Sequence, residues 1–426
     1  QAKQFVEVPL KLTVDREAHT ATIEVQQNSL QVKAGAWSDW LEWTFQVTPN
    51  YAVRAISRFW PIEIGDSVRL YMTCLQVHPK APMLRISTPP EYAGQLTDKY
   101  GLHKTVGWAY DTKALQQDVL PDEAYISDEL DSMDWQARLM LDELTEGNFD
   151  LLIAGWTATD RAGHMYWRFR DTKHSKYDAE AAKKYGHTLE DTYIKMDKIV
   201  GQTLEKLAPN DLLIVMSDHG LKSFRRQFSV NTWLARNGYL TLKNQTDPAT
   251  AATDEKFLQA FDWSKTKAYS IGFGSVFLNL QGREGQGIVT PEEAPALLAE
   301  LRDKLLAVTD PESGEKIFTA VQLQAELFHG DALADAPDIG LGYADGYQTD
   351  KQSAAGAAPK EMFSNNDDKW SAEHAAVAAA EAPGILFSNQ KLNANPAIVD
   401  LGPTALSYLD IPVPAAYEGR NLLPET

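Results

Sequence analysis

The sequence predicts an α/β fold, a mostly parallel sheet with helices on both faces, carrying an amino-terminal all-β insertion domain. Three observations predict it. Short continuous apolar runs, at 149–155 and 212–216, alternate with long amphipathic segments, as βαβ units require. Acid–histidine clusters follow both runs, and parallel sheets gather their chemistry at the carboxyl ends of strands. The first 75 residues instead alternate apolar and polar side chains with a period of two.

Taken in order, Thr20–Val25, Trp43–Val47 and Val68–Met72 read as strands of a β domain over residues 1–75, with residues 76–426 as the α/β core. Trp37, Trp40 and Trp43 recur at a spacing of three around Gly35 and Ser38. They read as packing where a small β domain meets a larger one, rather than as a ligand platform. Ser127-Asp128-Glu129 supplies an N-cap and an acidic first turn. Leu130, Met133, Ala137, Met140, Leu141 and Leu144 follow on one helical face, and Gly147-Asn148 ends that helix. The run Phe149–Gly155 then reads as a buried strand.

A second helix uses Leu189, Tyr193, Met196, Val200, Leu204 and Leu207, and the run 212–216 reads as the next strand. Pro291-Glu292-Glu293 opens a third helix through about Val308, with proline in its first position. Ser275–Leu280, Ile339–Tyr343 and Gly384–Phe387 are further strands, and Thr404–Leu409 a late helix. Residues 345–372, rich in Gly, Ala, Ser, Asn and Asp, read as a long loop of lid or binding type.

Composition narrows the function. The net charge is −19, and the first 75 residues are nearly neutral, so the acidic excess lies in the remainder. Such a field keeps the chain soluble and repels long polyanions, which argues against a nucleic-acid duplex as partner. A small phosphorylated substrate remains compatible, because bound cations invert the field locally. The single cysteine, Cys74, excludes an internal disulfide. No apolar run reaches the length of a membrane span, and residues 1–30 lack the pattern of a signal peptide. A periplasmic or secreted location is expected ahead of a cytoplasmic one. A chain that starts at Gln1 reads as processed, trimmed or part of a longer polypeptide.

Three clusters carry the chemistry: Thr159-Asp160-Arg161-Ala162-Gly163-His164, Ser217-Asp218-His219-Gly220 and Trp370-Ser371-Ala372-Glu373-His374. Asp160 and His164 are four apart, so one helical turn puts them on the same side. Asp218 and His219 sit just past a strand end, where a turn can bring adjacent side chains together, against a competing reading of Asp-His-Gly as an ordinary turn. Two carboxylates and three imidazoles form a mixed hard and borderline donor set that suits zinc or manganese. Paired cations of this kind serve the hydrolysis of phosphate esters. Arg161, Arg225 and Arg226 are the nearest guanidinium candidates for a phosphate, against a competing reading as salt bridges to the acidic surface. His19, His78, His103, His174, His187 and His329 form no constellation, and surface positions are expected for His174 and His187.

With these residues in view, the chain resembles the alkaline phosphatase superfamily, in its branch of type I phosphodiesterases and nucleotide pyrophosphatases. It is most similar to bacterial predicted phosphohydrolase/phosphomutase proteins. Besides the three clusters, the resemblance rests on residues 35–40, 86–89, 231–234, 279–284 and 402–404 and covers nearly all of residues 30–425. It implies that Asp160, His164 and His374 hold one divalent ion and Asp218 and His219 another, zinc first and manganese second. It implies a metal-dependent phosphohydrolase cleaving a phosphodiester or phosphomonoester through a two-metal site and a phosphoenzyme. A phosphomutase-like transferase and an inactive metal-clipped binding protein are the alternatives. In the family a first strand and a Thr or Ser nucleophile precede the β insertion. No residue here fills those places, and Thr157, Thr159 and Ser217 stand elsewhere in the motif order. The missing part is expected from a cleaved or omitted front segment, from a separate chain, or not at all in an inactive relative.

Overall fold

Alternation dictates the first strands. Thr20–Val25 buries Ala21, Ile23 and Val25 and turns its threonines and Glu24 outward. The structure, a computed structural model, describes residues 5–107, 110–243, 245, 247, 250–378 and 380–424. It divides into two compact units, Gln1–Ala158 with Lys195–Lys206, and Thr159–Ile194 with Leu207–Thr426.

In the first unit short links give antiparallel pairs. Leu10–Asp15, Thr20–Val25 and Asn28–Lys33 form one sheet in sequence order. Leu41–Thr48 pairs with Tyr51–Ser57, which also pairs with Gln76–Val77, and Phe59–Ile64 pairs with Val68–Met72. Ile23, Val25, Val32, Leu41, Trp43 and Phe59 make the core between them. The tryptophans pack. Trp43 is buried with its Nε1 donating to Ser57 Oγ at 2.8 Å. Trp37 meets the rings of Trp60 and Tyr71 edge-on and donates to the Ala124 carbonyl at 2.9 Å. Arg58 lies over Trp37 and Trp40. The same unit continues past the strands into helices Tyr92–Tyr100, Thr112–Gln116 and Asp122–Glu146.

Helix Asp122–Glu146 begins ahead of Ser127, the expected cap. Asp122 and Glu123 already place negative charge in the first turn, after Pro121. Ser127 is therefore interior, and its hydroxyl bonds the Ala124 carbonyl. Met133 and Ala137 pack on Ala158 and Ile199. The strand expected at Phe149–Gly155 does not form: the segment has no regular structure, and Phe149, Leu151 and Ile153 are exposed, Ile153 by 82%. An apolar run becomes a buried strand only when a ladder takes up its backbone groups, and among the described residues no strand pairing includes this segment.

The second unit holds Ala268–Ser270, Ser275–Leu278, Ile339–Tyr343 and Phe318–Leu323 in one antiparallel sheet, in that spatial order. Lys222–Phe228 pairs in parallel with Gly346–Thr349 and antiparallel with Phe363–Asn365 and Ala372–Glu373. Ile214–Met216 pairs antiparallel with Leu386–Ser388. The mixed α/β character stands, but the mostly parallel sheet does not. Among the described strands, Lys222–Phe228 with Gly346–Thr349 is the one parallel ladder. An apolar run does not fix the direction of its partner strand, and of the two runs here one joins no described ladder while the other is only half-buried.

The core of this unit gathers Phe228, Trp233, Leu234, Phe261, Val276 and Phe318 with their neighbours. The third helix runs Ala294–Leu306 with Pro295, not Pro291, in its first turn. Residues 345–372 are not one long loop. They contain the buried strand Gly346–Thr349, the helical turn Lys351–Ala354 and strand Phe363–Asn365. Small residues there serve close packing: Gly346 has φ of 89°, and a Cβ on it would meet the Arg225 guanidinium at 2.4 Å. No described helix is long and apolar enough to cross a membrane.

Candidate metal centre

Helix Ala158–Tyr166 carries Asp160 and His164 one turn apart, so that His164 Nε2 lies 3.2 Å from Asp160 Oδ1. The imidazole is buried, and its Nδ1 lies 2.6 Å from the Ala372 carbonyl. A carbonyl oxygen only accepts, so Nδ1 carries a proton and Nε2 is the ring atom turned toward the carboxylate.

Strand pairing brings in the rest. Lys222 pairs with Glu373 and Ser223 with Ala372, which sets His374 beside the turn that ends at Leu221. That turn follows strand Ile214–Met216 and is anchored by hydrogen bonds from Ser217 N to Ile385 O at 3.1 Å and from Gly220 N to Ala382 O at 2.9 Å. The close approach needs Gly384, where a Cβ would stand 2.5 Å from the Ser217 carbonyl. As a result the rings of His219 and His374 stack at 3.5 Å and 9°. His374 Nε2 lies 3.8 Å from Asp160 Oδ1. His219 Nδ1 lies 3.0 Å from the Gly220 carbonyl, again leaving Nε2 open, 3.4 Å from Asp218 Oδ2.

The ligand atoms of Asp160, His164 and His374 all lie within 4.8 Å of one another. Asp160 Oδ1 is buried without a hydrogen-bond partner, although two imidazoles point at it. Two imidazole nitrogens this close to a desolvated carboxylate oxygen make a donor set that a shared cation would satisfy. Burial works to raise the Asp160 pKa, but His164, Arg161 and His374 outweigh it and hold the carboxyl below its ordinary value. Burial lowers the His374 pKa, and the neighbouring His219 and His164 lower it further, which favours the neutral ring that a metal needs. The donor set therefore fits a divalent ion.

Residues 15–367 match the family Type I phosphodiesterase / nucleotide pyrophosphatase. The chain belongs to this family. The match begins earlier than the sequence resemblance and ends before His374. No curated protein and no solved structure matches the chain. Membership supports phosphoric ester hydrolysis as the general chemistry, in a family that is typically metal-dependent and within the alkaline phosphatase superfamily.

Asp160, His164 and His374 thus come together from two distant segments, and His219 stacks on His374, whereas Asp218 approaches only its neighbour His219 and is largely exposed. Of the three arginines, Arg161 joins them, with Nη1 3.4 Å from Asp160. Arg225 is committed to Asp171 at 2.8 Å and Asp345 at 3.0 Å, and Arg226 to Asp310 at 2.6 Å and Glu312 at 2.9 Å. Both follow the salt-bridge reading. Ser217 accepts the Ile385 N–H at 3.0 Å and serves the turn. His174, expected at the surface, is buried, with Nδ1 accepting from Lys176 N at 3.1 Å. Sequence reasoning passed over Trp370, Ser371 and Glu373, which surround His164 and His374. They lay in plain view within the third cluster, but nothing in their types singled them out.

Proposed function

We propose that the chain is a metal-dependent phosphohydrolase acting on a phosphodiester or phosphomonoester at this site. Asp160, His164 and His374 would hold one divalent ion and Asp218 with His219 a second, zinc ahead of manganese. The observation that carries the reading is the buried, unbonded Asp160 Oδ1 faced by the Nε2 atoms of His164 and His374. When bound, such ions polarise the phosphoryl oxygen and lower the pKa of water to about 7.

The protein's own part is orientation. Backbone carbonyls at 372 and 220 fix which ring nitrogen of His164 and His219 stays free. The side chain of Asp218 is 72% exposed and that of His374 30%, so the centre is open to a substrate in solution. Residues 1–75 are proposed as the β insertion and 76–426 as the metal-binding core. The nucleophile of a two-step mechanism is assigned to none of Thr157, Thr159 and Ser217.

Elemental analysis with p-nitrophenyl phosphate and bis-p-nitrophenyl phosphate assays tests this reading. Two metals per chain and turnover are expected from the complete gene product. One metal without turnover would favour a binding protein with a structural clip.

A further inference from the structure

The segment that delivers His374 also grips His164. Ser371 N and Oγ both bond the His164 carbonyl, at 2.7 and 3.0 Å. The Trp370 ring stacks on the His164 imidazole, with centroids 3.7 Å apart and planes 24° off parallel. Trp370 Nε1 donates to Glu373 Oε2 at 3.0 Å, and Glu373 Oε1 accepts the backbone N–H of His374 at 3.1 Å. One carboxylate therefore ties the indole against one imidazole to the backbone that carries the other.

We infer that Glu373 and Trp370 form a positioning bracket that sets His164 and His374 relative to each other, and so sets the affinity of the site for a divalent ion. The inference rests on the metal-site reading above. The bracket works without touching the ion. The indole bars ring rotation of His164 on one face, while the Ala372 carbonyl fixes its edge. Glu373 makes the two restraints one unit, because its oxygens are divided between the indole and the His374 amide. Partners of this kind, behind the ligands, change metal affinity by about 10- to 100-fold when removed.

The test is a competition titration of Zn2+ against a chromophoric chelator, using the full chain stripped of metal. Trp370→Ala and Glu373→Gln should each weaken Zn2+ binding by about 10- to 100-fold, with circular dichroism unchanged. Trp370→Phe keeps a stacking ring and loses the Nε1 donor, so its affinity should fall between those of Trp370→Ala and the unaltered chain. His164→Ala marks the loss of a ligand. If Trp370→Ala fails to fold, Trp370→Phe and Glu373→Gln decide. Affinities within about twofold of the unaltered chain for the folded variants would overturn the bracket while leaving the site intact. An unaltered chain with no Zn2+ binding sensitive to His164→Ala would remove the site, and the bracket with it.

Discussion

Replacing Ser371 by alanine deletes a single oxygen from a side chain with no exposure to solvent. That oxygen accepts the Arg168 N–H at 2.8 Å and donates to the His164 carbonyl at 3.0 Å. The His164 carbonyl belongs to the last turn of the site helix, where carbonyls lack partners within the helix, and Arg168 lies in the 3-10 turn Trp167–Phe169 that follows. The His164 carbonyl keeps the Ser371 amide at 2.7 Å, so its loss is partial. The Arg168 N–H loses the bond that the hydroxyl supplied in a buried place. A net hydrogen bond is worth about 0.5–1.5 kcal/mol, and the Ser371 hydroxyl makes two. The expected destabilisation is therefore about 1–3 kcal/mol, or roughly 5- to 150-fold in the local opening constant. Hydrogen exchange of a peptide covering residues 158–170 measures it directly. Exchange unchanged from the unaltered chain would refute the claim that the third cluster staples this helix.

Other consequences follow from the same contacts. Arg226→Ala leaves the fully buried Asp310 without its cation, which costs about 3–5 kcal/mol in denaturant unfolding. An unaltered stability with a raised KM would instead make Arg226 a substrate contact. Trp43→Ala should cost about 3–5 kcal/mol from its cavity and its lost bond to Ser57, and a cost below about 1 kcal/mol would show that the β core does not depend on it. Burial lowers the pKa of His78, His103 and His174 from the ordinary 6.5. The unfolded chain then takes up protons first, so stability is complete above about pH 6.5 and is lost as pH falls through the lowered values. A denaturation midpoint that stays level from about pH 7.5 to about pH 5.5 would contradict this.

Much of the site was legible because its spacing is local. Asp160 and His164 share a helical turn, and Asp218 with His219 follows a strand whose end the apolar run marked. His374 was legible only through its family phrase; the ladder between 222–223 and 372–373 that places it is a long-range pairing without a local signal. The β strands near the amino terminus declared themselves by alternation, since one face of each is buried. The run at 149–155 misled because hydrophobicity records a tendency to be covered, whereas a strand also needs a neighbour for its amides. Residues 345–372 misled for a different reason: Gly and Ala signal loops by composition, yet here they admit close approach, with Arg225 packed against Gly346. Trp370 and Glu373 act through contacts across the fold, and residue type alone assigns neither a role.

Anomalous diffraction at the zinc edge, from crystals of the complete protein soaked in Zn2+, tests the metal centre most directly. The proposed two-metal centre predicts two peaks about 3.5–4 Å apart, one among Asp160, His164 and His374 and one at Asp218 and His219. Zinc bound elsewhere, or no peak beside Asp160, would contradict it.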